Sequence, residues 1–113
     1  MKRVLIGIVS VVALAAFAGL ASAQDTAKGA KVYADQKCSL CHSIAGKGNA
    51  KGALDDVGSK LKADEIREWI VDPVGMTAKA KAARKPPMPA KYKALPKEDL
   101  DALVAYLASL KKS

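Results

Sequence analysis

The chain has few of the side chains that build metal and nucleophilic sites. Its 113 residues include one His and two Cys. A structural zinc site needs four ligands, usually Cys and His, so this composition excludes one. No stretch shows the alternation of apolar and polar residues that is typical of strands, so neither a sheet nor the βαβ surroundings of a thioredoxin-like dithiol enzyme is expected.

Aromatic residues are also scarce: one Phe, one Trp and three Tyr. The Phe is Phe17, in an N-terminal apolar run, so residues 24–113 retain four aromatic side chains. A domain of this size buries a modest fraction of its surface and is marginally stable without additional help. A buried apolar cofactor would supply the missing bulk.

The first 23 residues have the layout of a secretory signal peptide. Met1-Lys2-Arg3 is followed by an uncharged run over residues 4–20 and by Ala21-Ser22-Ala23. We expect cleavage after Ala23, which leaves one domain over residues 24–113 in the periplasm with no membrane span. The alternative is an uncleaved anchor, but the run is short and weakly hydrophobic for a span.

The sequence Cys38-Ser39-Leu40-Cys41-His42 has the spacing of a covalent haem attachment site. On a helical turn, positions i, i+3 and i+4 share one face. Cys38 and Cys41 can therefore form thioethers with the two vinyl groups of one porphyrin, and His42 can bind the iron. A dithiol redox pair and a local disulfide are the remaining interpretations of the two cysteines.

Three stretches are predicted to be helices, and the domain is predicted to be all-α. Asp25 or Thr26 can cap a first helix that runs from about Ala27 to Lys37, and Gly29 inside it suggests close approach of another helix. A second helix opens at Asp64-Glu65 and ends at Pro73. A third begins at Pro96 and has an apolar stripe: Leu100, Leu103, Val104, Leu107 and Leu110. Residues 74–95 are expected to form loops.

Two methionines outside the N-terminal segment, Met76 and Met88, are candidates for the sixth iron ligand, because no second His is present. A thioether sulfur suits low-spin haem iron and raises its potential. Met88 lies between Pro87 and Pro89, whose restricted backbone makes a stiff extended loop. Met76 follows Gly75 and lacks that support, so Met88 is the predicted ligand.

The charge balance is basic, with 19 Lys and Arg against 11 Asp and Glu. Loss of Lys2 and Arg3 with the signal peptide leaves 17 basic residues against the same 11. A solvated surface is one interpretation, and steering toward an acidic redox partner is the other. The lysines close to the ligands in sequence are candidates for docking: Lys37, Lys47, Lys85, Lys91 and Lys93. The export signal and the absence of a binding motif argue against nucleic acid.

Taken in order, the motifs resemble those of class I mono-haem cytochromes c of the small bacterial type. The matching pieces span nearly the whole domain: Gly29-x-x-x-Tyr33, Cys38 to His42, Trp69 to Pro73, Met88-Pro89 and Leu103 to Leu107. The resemblance implies a cytochrome c fold in which Gly29 and Tyr33 cross the last helix near Leu103 and Tyr106. It also implies one haem c with His42 and Met88 as axial ligands.

The resemblance further implies a monomeric electron carrier rather than an enzyme. The alternative is a haem enzyme or ligand-binding sensor with an open distal site, which requires Met88 to be off the iron. Many relatives have Pro after the Gly that follows the haem motif, whereas Gly52 here precedes Ala53. The carbonyl that orients His42 is therefore not identified by the resemblance.

Overall fold

The computed structural model describes residues 25–82 and 87–111. Within these ranges the chain is mostly helical. Helix α1 covers residues 25–35, and the later helices are α2 (Val57–Lys60), α3 (Ala63–Val71), α4 (Pro73–Ala80) and α5 (Lys97–Ala108). Three 3-10 segments connect them: Cys38–Leu40, Ala50–Gly52 and Ala90–Ala94. The predicted signal peptide lies outside the described residues, and no helix within them has the length and hydrophobicity to cross a bilayer.

The core forms where α3 packs against α5. The predicted apolar stripe of α5 is confirmed, because Leu100, Leu103, Val104 and Leu107 are all buried. Helix α3 buries Ile66 and Ile70 against it. On the rim of this interface Arg67 and Asp101 form an ion pair, with 2.7 Å between Nη2 and Oδ1. Since both side chains are partly exposed, this pair fixes orientation more than it stabilises the fold.

Helix α1 crosses α5 at Gly29, as the sequence predicts. A Cβ atom at Gly29 would overlap the carbonyl oxygen of Ala102 and lie 2.5 Å from the Cβ of Tyr106. One turn later the rings of Tyr33 and Tyr106 meet edge to face, with centroids 6.1 Å apart. Gly29 therefore has a packing reason for its place inside a helix, where it costs about 1 kcal/mol relative to Ala.

The limits of the first helix differ from the prediction. Asp25 and Thr26 already lie within α1 rather than capping it, and the helix ends at residue 35 instead of Lys37. Lys37 adopts a left-handed conformation with φ of 57°. This conformation ends the helix and turns the chain into Cys38, so the haem motif begins on a new axis.

The prediction that residues 74–95 form loops is wrong for α4 and for the 3-10 segment Ala90–Ala94. Pro73 does end α3, but it also occupies the first turn of α4, where its missing N–H costs nothing. The carboxylate of Asp72 accepts a hydrogen bond from the N–H of Gly75 at 3.1 Å and caps the new helix. Met76 therefore lies in a helix and not in a loop.

A short antiparallel hairpin after the haem motif forms the one sheet among the described residues, and the sequence did not predict it. Strand β1 (Ser43–Ile44) pairs with β2 (Lys47–Gly48) across a turn in which Ala45 and Gly46 have positive φ. Asp55 accepts a hydrogen bond from the Ala45 N–H at 2.6 Å. Ser43 also bridges to Ala53. The hairpin thus holds the segment around residue 52 beside the haem motif.

Candidate cofactor site

The haem motif folds into a single tight turn. Cys38–Leu40 form a 3-10 helix rather than the α-helical turn that the spacing suggested. The N–H groups of Cys41 and His42 both donate to the Cys38 carbonyl, at 3.1 and 2.9 Å. The turn therefore brings both cysteines and the histidine to the wall of one cavity.

That cavity has a volume of about 500 Å³, within the range of small-molecule and cofactor sites. Its walls come from the haem motif, from α3 and α4, and from the segment around Met88. The lining residues are Asp35, Gln36, Lys37, Cys38, Leu40, Cys41, His42, Trp69, Thr77, Ala82, Pro87, Met88, Pro89, Lys91 and Tyr92.

His42 is oriented by the backbone of the segment that the hairpin holds in place. Its Nδ1 lies 2.9 Å from the carbonyl oxygen of Gly52. A carbonyl can only accept, so Nδ1 carries the proton and Nε2 is the basic nitrogen of the ring. A neutral imidazole fixed in this way is how proteins present histidine to a metal. The carbonyl left unidentified by the sequence is that of Gly52.

Met88 lines the same cavity as His42 and the two cysteines. It is half-buried, packs against the hydrophobic core, and lies outside any helix or strand between Pro87 and Pro89. Pro86 lies outside the described residues. Met76 is also half-buried, but it is not among the described residues that line the cavity. The structure therefore brings together all four side chains that the sequence selected.

The cavity wall is partly buried at Cys38 and Tyr92. Burial raises the pKa of the Cys38 thiol above its usual value, and burial likewise raises the pKa of Tyr92. Both groups are therefore neutral near pH 7. The part of the wall formed by Cys38, Tyr92, Leu40, Trp69 and Met88 is neutral near pH 7 and suits an apolar ligand, whereas Asp35, Lys37 and Lys91 add charge to the lining.

The chain matches the family model for cytochrome c over residues 26–111, more than half of its length. It belongs to the cytochrome c family. Searches of curated proteins and of solved structures give no match.

Membership in the cytochrome c family means that the chain binds covalent haem c and serves electron transfer. The residues present fit one haem, because Cys38 and Cys41 have the required spacing and share one cavity with His42. Within the described part of the chain, no cluster of three or more His, Cys, Asp or Glu could hold a bare metal ion. The buried hydroxyl of Tyr33 has no hydrogen-bond partner among the described residues.

Of the five candidate docking lysines, Lys37 and Lys91 line the cavity. The Nζ atom of Lys91 lies 5.4 Å from the centroid of the Tyr92 ring. Lys47 and Lys93 are exposed but do not line the cavity, and Lys85 lies outside the described residues. Of the four described lysines chosen for their closeness in sequence to the predicted ligands, two line the cavity and two do not.

Several lining residues were not predicted to be part of the site. Trp69 matched a family motif without an assigned role, and Tyr92 appeared in the sequence only as one of the few aromatics. Thr77 could not be placed because α4 was missed. The pair Asp72-Pro73, an N-cap followed by proline at the first helical position, is the signal that could have revealed that helix.

Proposed function

We propose that this cytochrome c is a class I periplasmic carrier of single electrons, with His42 and Met88 as axial ligands of one haem. Cys38 and Cys41 hold the haem through thioethers in this proposal. The observation that carries it is the single cavity whose lining contains these four side chains together. Bound haem supplies one-electron chemistry between ferric and ferrous iron.

The two axial ligands have different supports. The Gly52 carbonyl holds the His42 ring in one tautomer, so Nε2 is the nitrogen that would bind the iron. The prolines on either side of Met88 limit its backbone freedom, so binding of the sulfur orders little additional chain. A His–Met pair leaves no vacant position on the iron, which favours an electron carrier over a haem enzyme or a ligand-binding sensor.

The charge distribution supports docking to an acidic partner. Residues 36–54 and 74–97 contain ten Lys or Arg and no Asp or Glu. Both segments contribute to the cavity wall, including Lys37 and Lys91 at its rim. The eleven acidic residues lie in the rest of the chain, and Asp35 alone among them lines the cavity within the described part of the chain. A basic face around the haem would steer an acidic redox protein toward it and accelerate association at low ionic strength.

Export belongs to the same proposal. Residues 1–23 would direct the chain to the periplasm and be removed, leaving a monomeric domain over residues 24–113. Haem attachment through cysteine thiols then takes place in a compartment where disulfides otherwise form. The signal and the attachment motif are therefore consistent with each other.

Covalent attachment predicts that the exported protein keeps its haem through acid–acetone extraction. The reason is that two thioethers survive conditions that release non-covalent haem. The measurement is the absorbance of the aqueous and organic phases after extraction. Haem in the organic phase would contradict the proposal, whereas Cys38→Ala and Cys41→Ala should each yield little or no mature holoprotein.

A further inference from the structure

The hydroxyl of Tyr33 is a buried polar group that the proposed function does not use. Tyr33 lies on α1 and is 9% exposed. Its oxygen is buried and has no hydrogen-bond partner among the described residues. Phe would fill the same space without the cost of desolvating a hydroxyl. A buried donor without a hydrogen-bond partner is destabilising, so we expect this hydroxyl to have a partner in the functional protein.

The surroundings of Tyr33 point to the attachment edge of the haem. Cys38 follows Tyr33 by five residues and packs against the same hydrophobic core cluster. The ring of Tyr33 meets the ring of Tyr106 edge to face, with 64° between the ring planes. Tyr33 therefore contacts α5 through Tyr106, and Cys38 is near enough for its charge to act on the Tyr33 hydroxyl.

The hydroxyl is available only as a neutral group. The pKa of Tyr33 is raised to about 12, mainly by burial and to a smaller extent by the negative charges that Cys38, Tyr106 and Asp55 can carry. The phenol therefore keeps its proton throughout the physiological range, and its O–H dipole can donate one hydrogen bond.

We propose that Tyr33 is a positioning residue for the haem, and that its hydroxyl donates a hydrogen bond at the thioether edge formed on Cys38. This inference rests on the proposed attachment of haem at Cys38. A thioether sulfur is a weak acceptor, but a buried donor with no better partner gains from it. The positive end of the O–H dipole then faces the haem edge and favours the electron-richer ferrous state, since hydrogen bonding near the cofactor tunes its potential.

The test compares the holoproteins of Tyr33→Phe and Tyr106→Phe with the wild type. The second variant is the matched control, because it removes the hydroxyl from the other ring of the same pair. Covalent haem in each sample is verified by intact mass. For Tyr33→Phe we expect the ferrous-to-ferric ratio at a fixed applied potential to fall about threefold, together with a lower denaturant midpoint. Tyr106→Phe should leave the ratio near the wild-type value.

A vibrational measurement separates a direct hydrogen bond from a packing effect. The C–S stretching bands of the haem thioethers in the resonance Raman spectrum should shift between H₂O and D₂O in the wild type. They should not shift in Tyr33→Phe. An unchanged ratio in Tyr33→Phe, an equal or higher midpoint, or an isotope shift that survives the substitution would overturn the role of Tyr33. Failure of the proposed function looks different, because the wild type would then lack covalent haem.

Discussion

Replacing Met88 with Ala is expected to lower the reduction potential by on the order of 0.1 V, within the ~0.8 V that axial ligands control. Without the sulfur of Met88, the distal position on the iron is left to water or to a nearby lysine such as Lys91, which lines the same cavity. Both are harder ligands that favour ferric over ferrous iron. Since ~59 mV is a tenfold change for one electron, a spectroelectrochemical titration would resolve the effect easily.

Met88→Leu separates ligation from packing, because Met88 also contacts the core. Leu keeps most of the apolar volume but has no sulfur. The reduction potential of Met88→Leu should therefore fall as in Met88→Ala, while its free energy of unfolding changes less. Met76→Leu is the matched control on α4 and should leave the potential unchanged. A large fall with Met76→Leu and none with Met88→Leu would reverse the ligand assignment.

The same variants test the open-site alternative. With Met88 removed, the iron should bind cyanide or carbon monoxide much faster than the wild type does. A haem enzyme or a sensor would be favoured by two results together. The wild type would bind cyanide or carbon monoxide rapidly, and neither methionine substitution would change the reduction potential.

Among the proposed substitutions, those of Gly29 are expected to lower the free energy of unfolding most. In an ordinary helix, Gly→Ala stabilises by about 1 kcal/mol. Here a Cβ would overlap the Ala102 carbonyl and the Cβ of Tyr106, and overpacking costs about 1–3 kcal/mol. Gly29→Ala should therefore destabilise the holoprotein despite its better propensity, and Gly29→Val should lower the free energy of unfolding by about 2 kcal/mol or more.

Ala27→Val is the control for Gly29→Val, because Ala27 is exposed on the same helix. It introduces a β-branched residue without a helix contact and should cost only about 0.5 kcal/mol. Denaturant unfolding of the three variants measures the difference. A stabilising Gly29→Ala would show that the crossing of α1 and α5 can relax at little cost.

The sequence predicted the helices whose buried apolar residues recur at helical spacing. The stripe of α5 and the apolar face of α3 are set by burial against each other, so helical spacing was enough to find them. Helix α4 was missed because Pro73 was taken only as a terminator, and because Pro73 is the one buried residue of α4, so no buried apolar stripe marks the helix. The hairpin of two-residue strands is held by a left-handed turn at Ala45-Gly46, which alternation of side chains cannot reveal.

The site was predictable to the extent that its chemistry depends on rare residues. One His, two Cys and a Met between prolines leave few ways to hold a haem. The Gly52 carbonyl was not predictable, because every residue carries a carbonyl and only the hairpin decides which one reaches His42. The hydroxyl of Tyr33 was likewise invisible, since its isolation is a property of the packed core.

The visible absorption spectrum of the exported protein in both redox states, taken with its intact mass, tests the central claim most directly. The account predicts the mass of residues 24–113 plus one haem, and a low-spin six-coordinate spectrum in each state. The oxidised form should also show the weak band at the red end of the spectrum that reports sulfur from methionine on the iron, and Met88→Ala should abolish it. A mass without haem, or a high-spin spectrum in the wild type, would contradict the account.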